Sequence, residues 1–376
     1  MGEMHRTVLV LPGLLAPEGS ESVLQKFESE LFPIVSRSRL TRLIPTEDAA
    51  VTEAAWVGLD PSVVPLADGP LTLSALHADP PERSVQFHLS LLSCNGWGVA
   101  EAPRFSAPEP EMDSLMREAE KLSTSSMTMV KGRDFDHGLV WDKGSLDLHT
   151  HAALEVQGKP ISRFLPEGDG ESALRRFIDD SVNLLTPLEL NRRRLDEGLP
   201  ALNLLWPWGQ GIVHAMPNLA LKRGIPAAFA SNSMRLQGLC RFVRYRHLDR
   251  AVFEGRHEEV VRKLHEWSEA EPLSVVVLGA IDSFLGQGSP ESATKWMGSI
   301  VSVFMEPLKS DKLRVREFVM LVPASSTIPD SPDGLALHWT SETREEHSIP
   351  FDERAVEDRR LQRRTVWEIM DEALRG

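Results

Sequence analysis

The chain has 376 residues, a formal charge of −14 from 41 Lys and Arg against 55 Asp and Glu, 41% hydrophobic residues and two cysteines. That length exceeds what one hydrophobic core normally serves and predicts two domains, while the ordinary apolar and charged fractions exclude wholesale disorder and fibrous repeats. The charge disfavours nucleic acid and anionic membranes as partners, no apolar run reaches the ~18 residues of a membrane helix, and Cys94 and Cys240 lack the spacing of a disulfide framework or a thiolate zinc site.

Residues 7–10 are apolar and β-branched and are followed by Pro12-Gly13, the pattern of a buried strand ending at the rim of a sheet. The run is too short, and too interrupted by Pro12, for a secretory signal, so a cytoplasmic protein is expected. Val23, Leu24, Phe27 and Leu31 then recur at helical intervals and predict a helix over 20–32. A strand is predicted at 85–92, and a proline-rich stretch at 102–110 precedes a helix at 111–122 with Leu115, Met116, Ala119 and Leu122 on one face. Further strands at 127–130 and 138–141 suggest a small α+β module over 82–165, inserted into an α/β chain that resumes after it.

The later elements are a helix at 171–185, a strand at 201–206, a helix at 234–245 and a nearly continuous Val and Leu strand at 273–280. The last reads as a central parallel strand covered on both faces, and Asp282 lies just beyond its carboxyl end, where chemistry gathers in open α/β sheets. A helix at 291–308, a strand at 317–322 and one terminal helix at 353–374, packed through Leu361, Val366, Ile369 and Leu374, complete the reading. Lys222, Arg223, Arg235, Arg241, Arg244, Arg246 and Arg250 cluster between acidic regions and suggest either a solvated basic helix or a face for an anion or an acidic partner.

The most distinctive stretch is Asn191-Arg-Arg-Arg194 followed by Leu204-Leu-Trp-Pro-Trp-Gly-Gln-Gly211. Pro45-Thr-Glu-Asp48, Gly58-Leu-Asp-Pro61, Gly69-Pro-Leu71, Phe135-Asp-His-Gly-Leu-Val-Trp141 and Gly158-Lys-Pro-Ile161 accompany it in order. In these motifs the chain resembles the archaeal-type cofactor-independent phosphoglycerate mutases of the alkaline phosphatase superfamily. The resemblance spans nearly the whole chain, strongest over 132–211 and weak after 320. It implies an α/β fold with an alkaline-phosphatase-like core, a mostly parallel central sheet flanked by helices, formed by residues 1–81 and 166–376. Residues 82–165 would be an inserted α+β cap domain.

Phosphoryl transfer in that superfamily uses two divalent ions, Mn, Zn or Mg, that clamp the phosphate oxygens. Hard divalent ions need carboxylates and imidazoles, and the matching positions here are depleted. The first strand ends in Leu11-Pro12-Gly13 in place of an aspartate, Glu47 stands at the nucleophilic serine, and Asp48 is retained. Asp282 remains from an Asp-x-x-x-His pair whose histidine position is Gly286, Ala324-Ser325 replaces an Asp-His pair, and His338 lies two residues from a last histidine position at Thr340.

The resemblance therefore implies a degenerate phosphoglycerate mutase-like protein without confident catalytic residues or a required cofactor. Asp282 and His338 are its residual metal candidates. It would bind an anionic small molecule or a protein partner, and Asp48, His137, Arg192, Arg194, Gln210 and Arg235 are the ligand-binding candidates. The alternative is an active phosphomutase or phosphatase with rearranged ligands. Family arginines that would grip an anion bidentately are matched by His88 and Asp136. His149 and His151 have the His-x-His spacing that puts two imidazoles on one side of a strand, and read either as a metal pair or as a surface pair.

Overall fold

In the computed structural model of the chain, the structure describes residues 5–15, 22–44, 49–60, 66–101, 108–224, 226–279, 289–309, 315–324, 333–342 and 347–375. It divides into two compact units, unit 1 from Met1–Val64 with Met216–Gly376 and unit 2 from Pro65–Ala215.

In chain order, β1 (His5–Val10) and β2 (Arg39–Ile44) belong to unit 1. Unit 2 holds β3 (Val85–Cys94), β4 (Ala100–Glu101), β5 (Met127–Arg133), β6 (Asp136–Trp141), β7 (Leu148–His149), β8 (Glu167–Gly168) and β9 (Leu204–Gly211). Unit 1 resumes with β10 (Ala227–Ser231), β11 (Arg246–His247), β12 (Leu273–Val277), β13 (Val315–Val322), β14 (Gly334–Thr340) and β15 (Gln362–Thr365). The helices are α1 (Glu28–Val35), α2 (Ala49–Trp56), α3 (Asp68–Ala75), α4 (Glu109–Ala119), α5 (Ala153–Val156), α6 (Glu171–Leu185) and α7 (Glu189–Asp196). They continue as α8 (Leu219–Arg223), α9 (Met234–Phe242), α10 (His257–Glu269), α11 (Pro290–Ile300), α12 (Glu353–Val356) and α13 (Val366–Ala373).

Unit 1 is built on one sheet in the order β11-β10-β12-β1-β13-β14-β2-β15, in which only β14 runs against the rest. Leu9 on β1 shares an apolar cluster with Leu31 and Ile34 of α1, Leu264 of α10 and Met297 of α11. Val8 and Val10, which point to the opposite face, are fully buried as well. Both faces are thus covered, which is why β1 and β12 read as almost unbroken Val and Leu. This is the expected alkaline-phosphatase-like α/β core, and β12 is the buried parallel strand foreseen at 273–280.

Three expectations are corrected. The first helix starts only at Glu28, after a short turn at Gln25–Phe27, and residues 20 and 21 of the expected helix lie outside the described residues. The helix foreseen at 291–308 ends at Ile300 and continues as a wider π turn over Val301–Met305. The expected terminal helix is three elements. β15 adds in parallel to the edge of β2, and Thr365 then caps α13 by accepting the Glu368 amide while the Glu368 carboxylate accepts the Thr365 amide. That reciprocal cap starts a new helix and breaks the periodicity read from sequence.

In unit 2, β3 lies between β6 and β9, and β4 and β5 extend the antiparallel sheet. The unit is wider than the expected 82–165 because α3, α6, α7 and β9 pack on this sheet. Leu174 and Phe177 of α6 and Leu205 of β9 share a core with Phe87 and Leu89 of β3. The strand foreseen at 201–206 therefore belongs to this sheet and not to the core sheet. The glycines of the Trp-Pro-Trp-Gly-Gln-Gly run follow from packing too. Gly209 has φ +62, and a Cβ there would meet the Asp68 Cβ at 2.6 Å, while one on Gly211 would meet the Ala67 Cβ at 2.4 Å.

Candidate functional site

The parallel strands of unit 1 deliver their carboxyl ends to one rim, where the segments after β1, β2, β10, β12 and β13 begin. The β1 segment, Leu11-Pro12-Gly13-Leu14-Leu15, is wholly buried, and Leu11, Leu14 and Leu15 join the main core. It is laid against the end of β13, with the Leu11 amide donating to the Leu321 carbonyl at 2.8 Å and the Gly13 amide to the Pro323 carbonyl at 3.0 Å. Glu47, Asp48 and Asp282, expected at this rim, lie outside the described residues. Among the described residues no group of three or more His, Cys, Asp or Glu side chains could hold a metal ion. Apolar side chains at the first ligand position do not fit a divalent cation.

The polar group that the described rim does carry is one the sequence did not single out. Glu53 of α2 accepts from the Ser233 hydroxyl at 3.0 Å and from Arg235 Nε at 2.7 Å. Ser233 also caps α9 by accepting the Leu236 amide. Arg235 is thus positioned at the carboxyl end of β10 by a mostly buried carboxylate. Glu53 lacked any motif; its only sequence signal was its place one turn after the 45–48 segment.

His338 is placed elsewhere. It pairs with Val319 on β13, whereas Val322 at the rim pairs with Leu335, so His338 sits roughly 10 Å back along the strand at about 3.3 Å per residue. Its Nε2 is 2.7 Å from the Glu317 carboxylate, and its Nδ1 is 2.8 Å from Arg39. Glu317 also takes Arg6, which reaches on to the carbonyls of Ala373 and Arg375. Burial pushes the Glu317 carboxyl up, but the His338 hydrogen bond and the Arg6 charge outweigh it and hold the group below its usual range. The residual metal candidate is part of the ion-pair web that fastens the end of the chain to the sheet.

The ligand candidates of unit 2 are likewise drawn into scaffolding. Asn191, fully buried, donates to the carbonyls of Leu185 and Leu202 and accepts the Leu202 amide at 2.7 Å. Arg194 donates from Nε to the Pro200 carbonyl at 2.9 Å, and burial lowers its pKa. The Asn-x-x-Arg element therefore clamps the loop between α7 and β9, and Arg192, between them, is exposed. Gln210 accepts from Thr150 at 2.5 Å and donates to the Leu148 carbonyl.

One face of the β3 sheet carries a linked polar row. His88 meets Thr72 Oγ1 at 2.7 Å through Nδ1 and Asp136 at 3.3 Å through Nε2. Its ring lies 4.8 Å from that of Trp208, whose Nε1 donates to Ser90 at 2.9 Å. His137 points to the other face, where Leu89 is its cross-strand partner. Its Nδ1 accepts the Gly132 amide at 3.0 Å, which puts the ring proton on Nε2, an atom buried without a hydrogen-bond partner among the described residues. Burial pulls its pKa down to about 4.

The basic segment is not one solvated helix. Its residues are divided among α8, α9, the connection at Arg244, β11 and the turn Arg250–Phe253. Arg223 is paired with Asp371, Arg235 with Glu53 and Arg246 with Glu271. No helix among the described residues is long and apolar enough to cross a membrane.

No family model matches the chain. It is 26% identical over 208 residues to the 2,3-bisphosphoglycerate-independent phosphoglycerate mutase of Methanothrix thermoacetophila, covering 54% of this chain and only 53% of that relative. To the enzyme of that name from Methanosarcina mazei it is 22% identical over 364 residues, covering 90% of this chain and 91% of the relative. The cofactor-independent phosphoglycerate mutase structure of Thermoplasma acidophilum superposes with a TM-score of 0.59 at 19% identity, over 99% of this chain and 100% of that one, a likeness of fold. The order of the motifs agrees with this near full-length similarity to archaeal cofactor-independent phosphoglycerate mutases, and the chain shares their fold.

Proposed function

We propose that the protein is a degenerate phosphoglycerate mutase-like scaffold that binds an anionic metabolite in the cytoplasm without transferring phosphoryl groups. One observation carries this reading: the segment after β1, where the resemblance asks for a metal-holding aspartate, is apolar and packed into the core. A carboxylate there would lose its hydration among the apolar side chains that surround Leu11, so the departure is a property of the packing. The replacement of the nucleophilic serine by Glu47 in sequence agrees with it. We assign the anion to Arg235, whose planar fork suits a carboxylate or phosphate and whose position is set by Glu53 and the start of α9.

Elemental analysis of protein purified without chelator, calorimetric titration with 3-phosphoglycerate, and mutase and phosphatase assays test this together. Saturable binding of 3-phosphoglycerate, weakened at least tenfold in Arg235→Ala, with no turnover, is expected. Stoichiometric manganese or zinc together with turnover overturns the reading and establishes the alternative, an active phosphomutase or phosphatase with rearranged ligands, for which the sequence offers Glu47, Asp48, Asp282 and His338.

A further inference from the structure

The segment 148–151 presents two imidazoles on a backbone held from three sides. His149 ends β7, and His151 follows two residues later, so both side chains leave the same side of an extended chain. Thr150 between them turns inward to Gln210, Gln210 donates to the Leu148 carbonyl, and Trp206 Nε1 donates to the His151 carbonyl at 2.8 Å. The segment is thereby clamped to β9, and little ordering is left for a ligand to impose.

The spacing of the rings suits two donors to one ion. Their centroids are 4.5 Å apart and their planes meet at 86°. With metal–nitrogen bonds of about 2.0–2.1 Å, two imidazoles at adjacent positions on one ion have centroids roughly 4.5–5 Å apart. His151 Nδ1 is 3.0 Å from the Glu155 carboxylate. A hydrogen bond there keeps the ring proton on Nδ1 and leaves the Nε2 lone pair for a metal, the carboxylate–histidine arrangement that orients metal-bound imidazoles. The His149 ring is exposed.

We propose that His149 and His151 form a two-histidine chelate for a late first-row divalent transition metal, Cu²⁺ foremost and Zn²⁺ and Ni²⁺ after it, with Glu155 as the positioning carboxylate. Imidazole nitrogens select these ions over Mg²⁺ and Ca²⁺, and the order among them follows intrinsic affinity. Among the described residues no third His, Cys, Asp or Glu converges with the pair. Water completes the coordination, so the ion exchanges with the medium. The chelate lies within unit 2 and asks nothing of the unit 1 rim, so it stands or falls apart from the anion-binding reading.

The test is titration of the full, tag-free chain with Cu²⁺, followed by calorimetry and electron paramagnetic resonance. One equivalent bound on the order of micromolar is expected, with hyperfine structure from two imidazole nitrogens. His149→Gln and His151→Gln should each weaken it at least tenfold, and Glu155→Gln about tenfold. His257→Gln, in another part of the chain, should change nothing. Should His151→Gln lower stability, His149→Gln at the exposed ring decides alone. First-equivalent affinity unchanged in the double variant, or a spectrum without two-nitrogen coupling, overturns the proposal.

Discussion

The rim of unit 1 and the α7–β9 clamp of unit 2 both correspond to motif positions of the family, yet they have fared differently. At the clamp, Asn191 and Arg194 survive, and each is tied to backbone groups, Asn191 to the buried amide and carbonyl of Leu202 and Arg194 to the Pro200 carbonyl. At the rim, the position after β1 has become Leu11 and has been absorbed into the core. Residues that satisfy buried backbone polar groups are held by folding itself, because leaving such groups unpaired costs about 1–3 kcal/mol each. A residue whose work is to grip an ion has no such support from the backbone around it. The preserved Asn-x-x-Arg and Trp-x-Trp-Gly-Gln-Gly motifs therefore testify to a fold more than to a reaction.

Restoring the missing acid is the sharpest way to break this contrast. Leu11→Asp should destabilise unit 1 by about 4–5 kcal/mol in urea unfolding, since it places a carboxylate in a fully buried apolar site. If the variant instead gains a bound divalent ion and stability, the rim is a metal site lacking one ligand, and the contrast collapses. Next in size is Asn191→Ala, expected to cost about 2–3 kcal/mol because the buried Leu202 amide and carbonyl lose their partner, while the Leu185 carbonyl keeps the Leu188 amide. Arg192→Ala, one residue away on the exposed side of α7, should stay within about 0.5 kcal/mol.

Acid should act on unit 2 through His137, a group whose folded pKa lies below its unfolded one. Burial lowers it from 6.5 to about 4, so the unfolded chain takes up a proton first as pH falls. The stability it lends is complete above pH 6.5 and is lost progressively towards pH 4, by roughly 3 to 3.5 kcal/mol in all. Urea midpoints measured at intervals across that range should fall accordingly, and His137→Gln should flatten the slope. An unchanged slope in that variant would assign the acid sensitivity to other groups.

Part of this molecule was plain in its residues. Strands covered on both faces are nearly continuous Val and Leu, so β1 and β12 declare themselves, and the apolar stripe of α6 does so through its helical spacing. That Leu11, Glu47 and Gly286 stand where the resemblance asks for an aspartate, a serine and a histidine is also read from the sequence. Other features depended on which residues meet across long stretches of chain. That β9 pairs with β3, that the end of the chain supplies an edge strand to β2, and that His338 is fastened to Glu317 well back from the rim are such facts. So are the roles of Arg194 and Gln210 as struts and the pairing of Glu53 with Arg235. Periodicity reports whether a side chain is buried, whereas the work of a polar side chain is set by the partner opposite it, and only the tertiary structure chooses that partner.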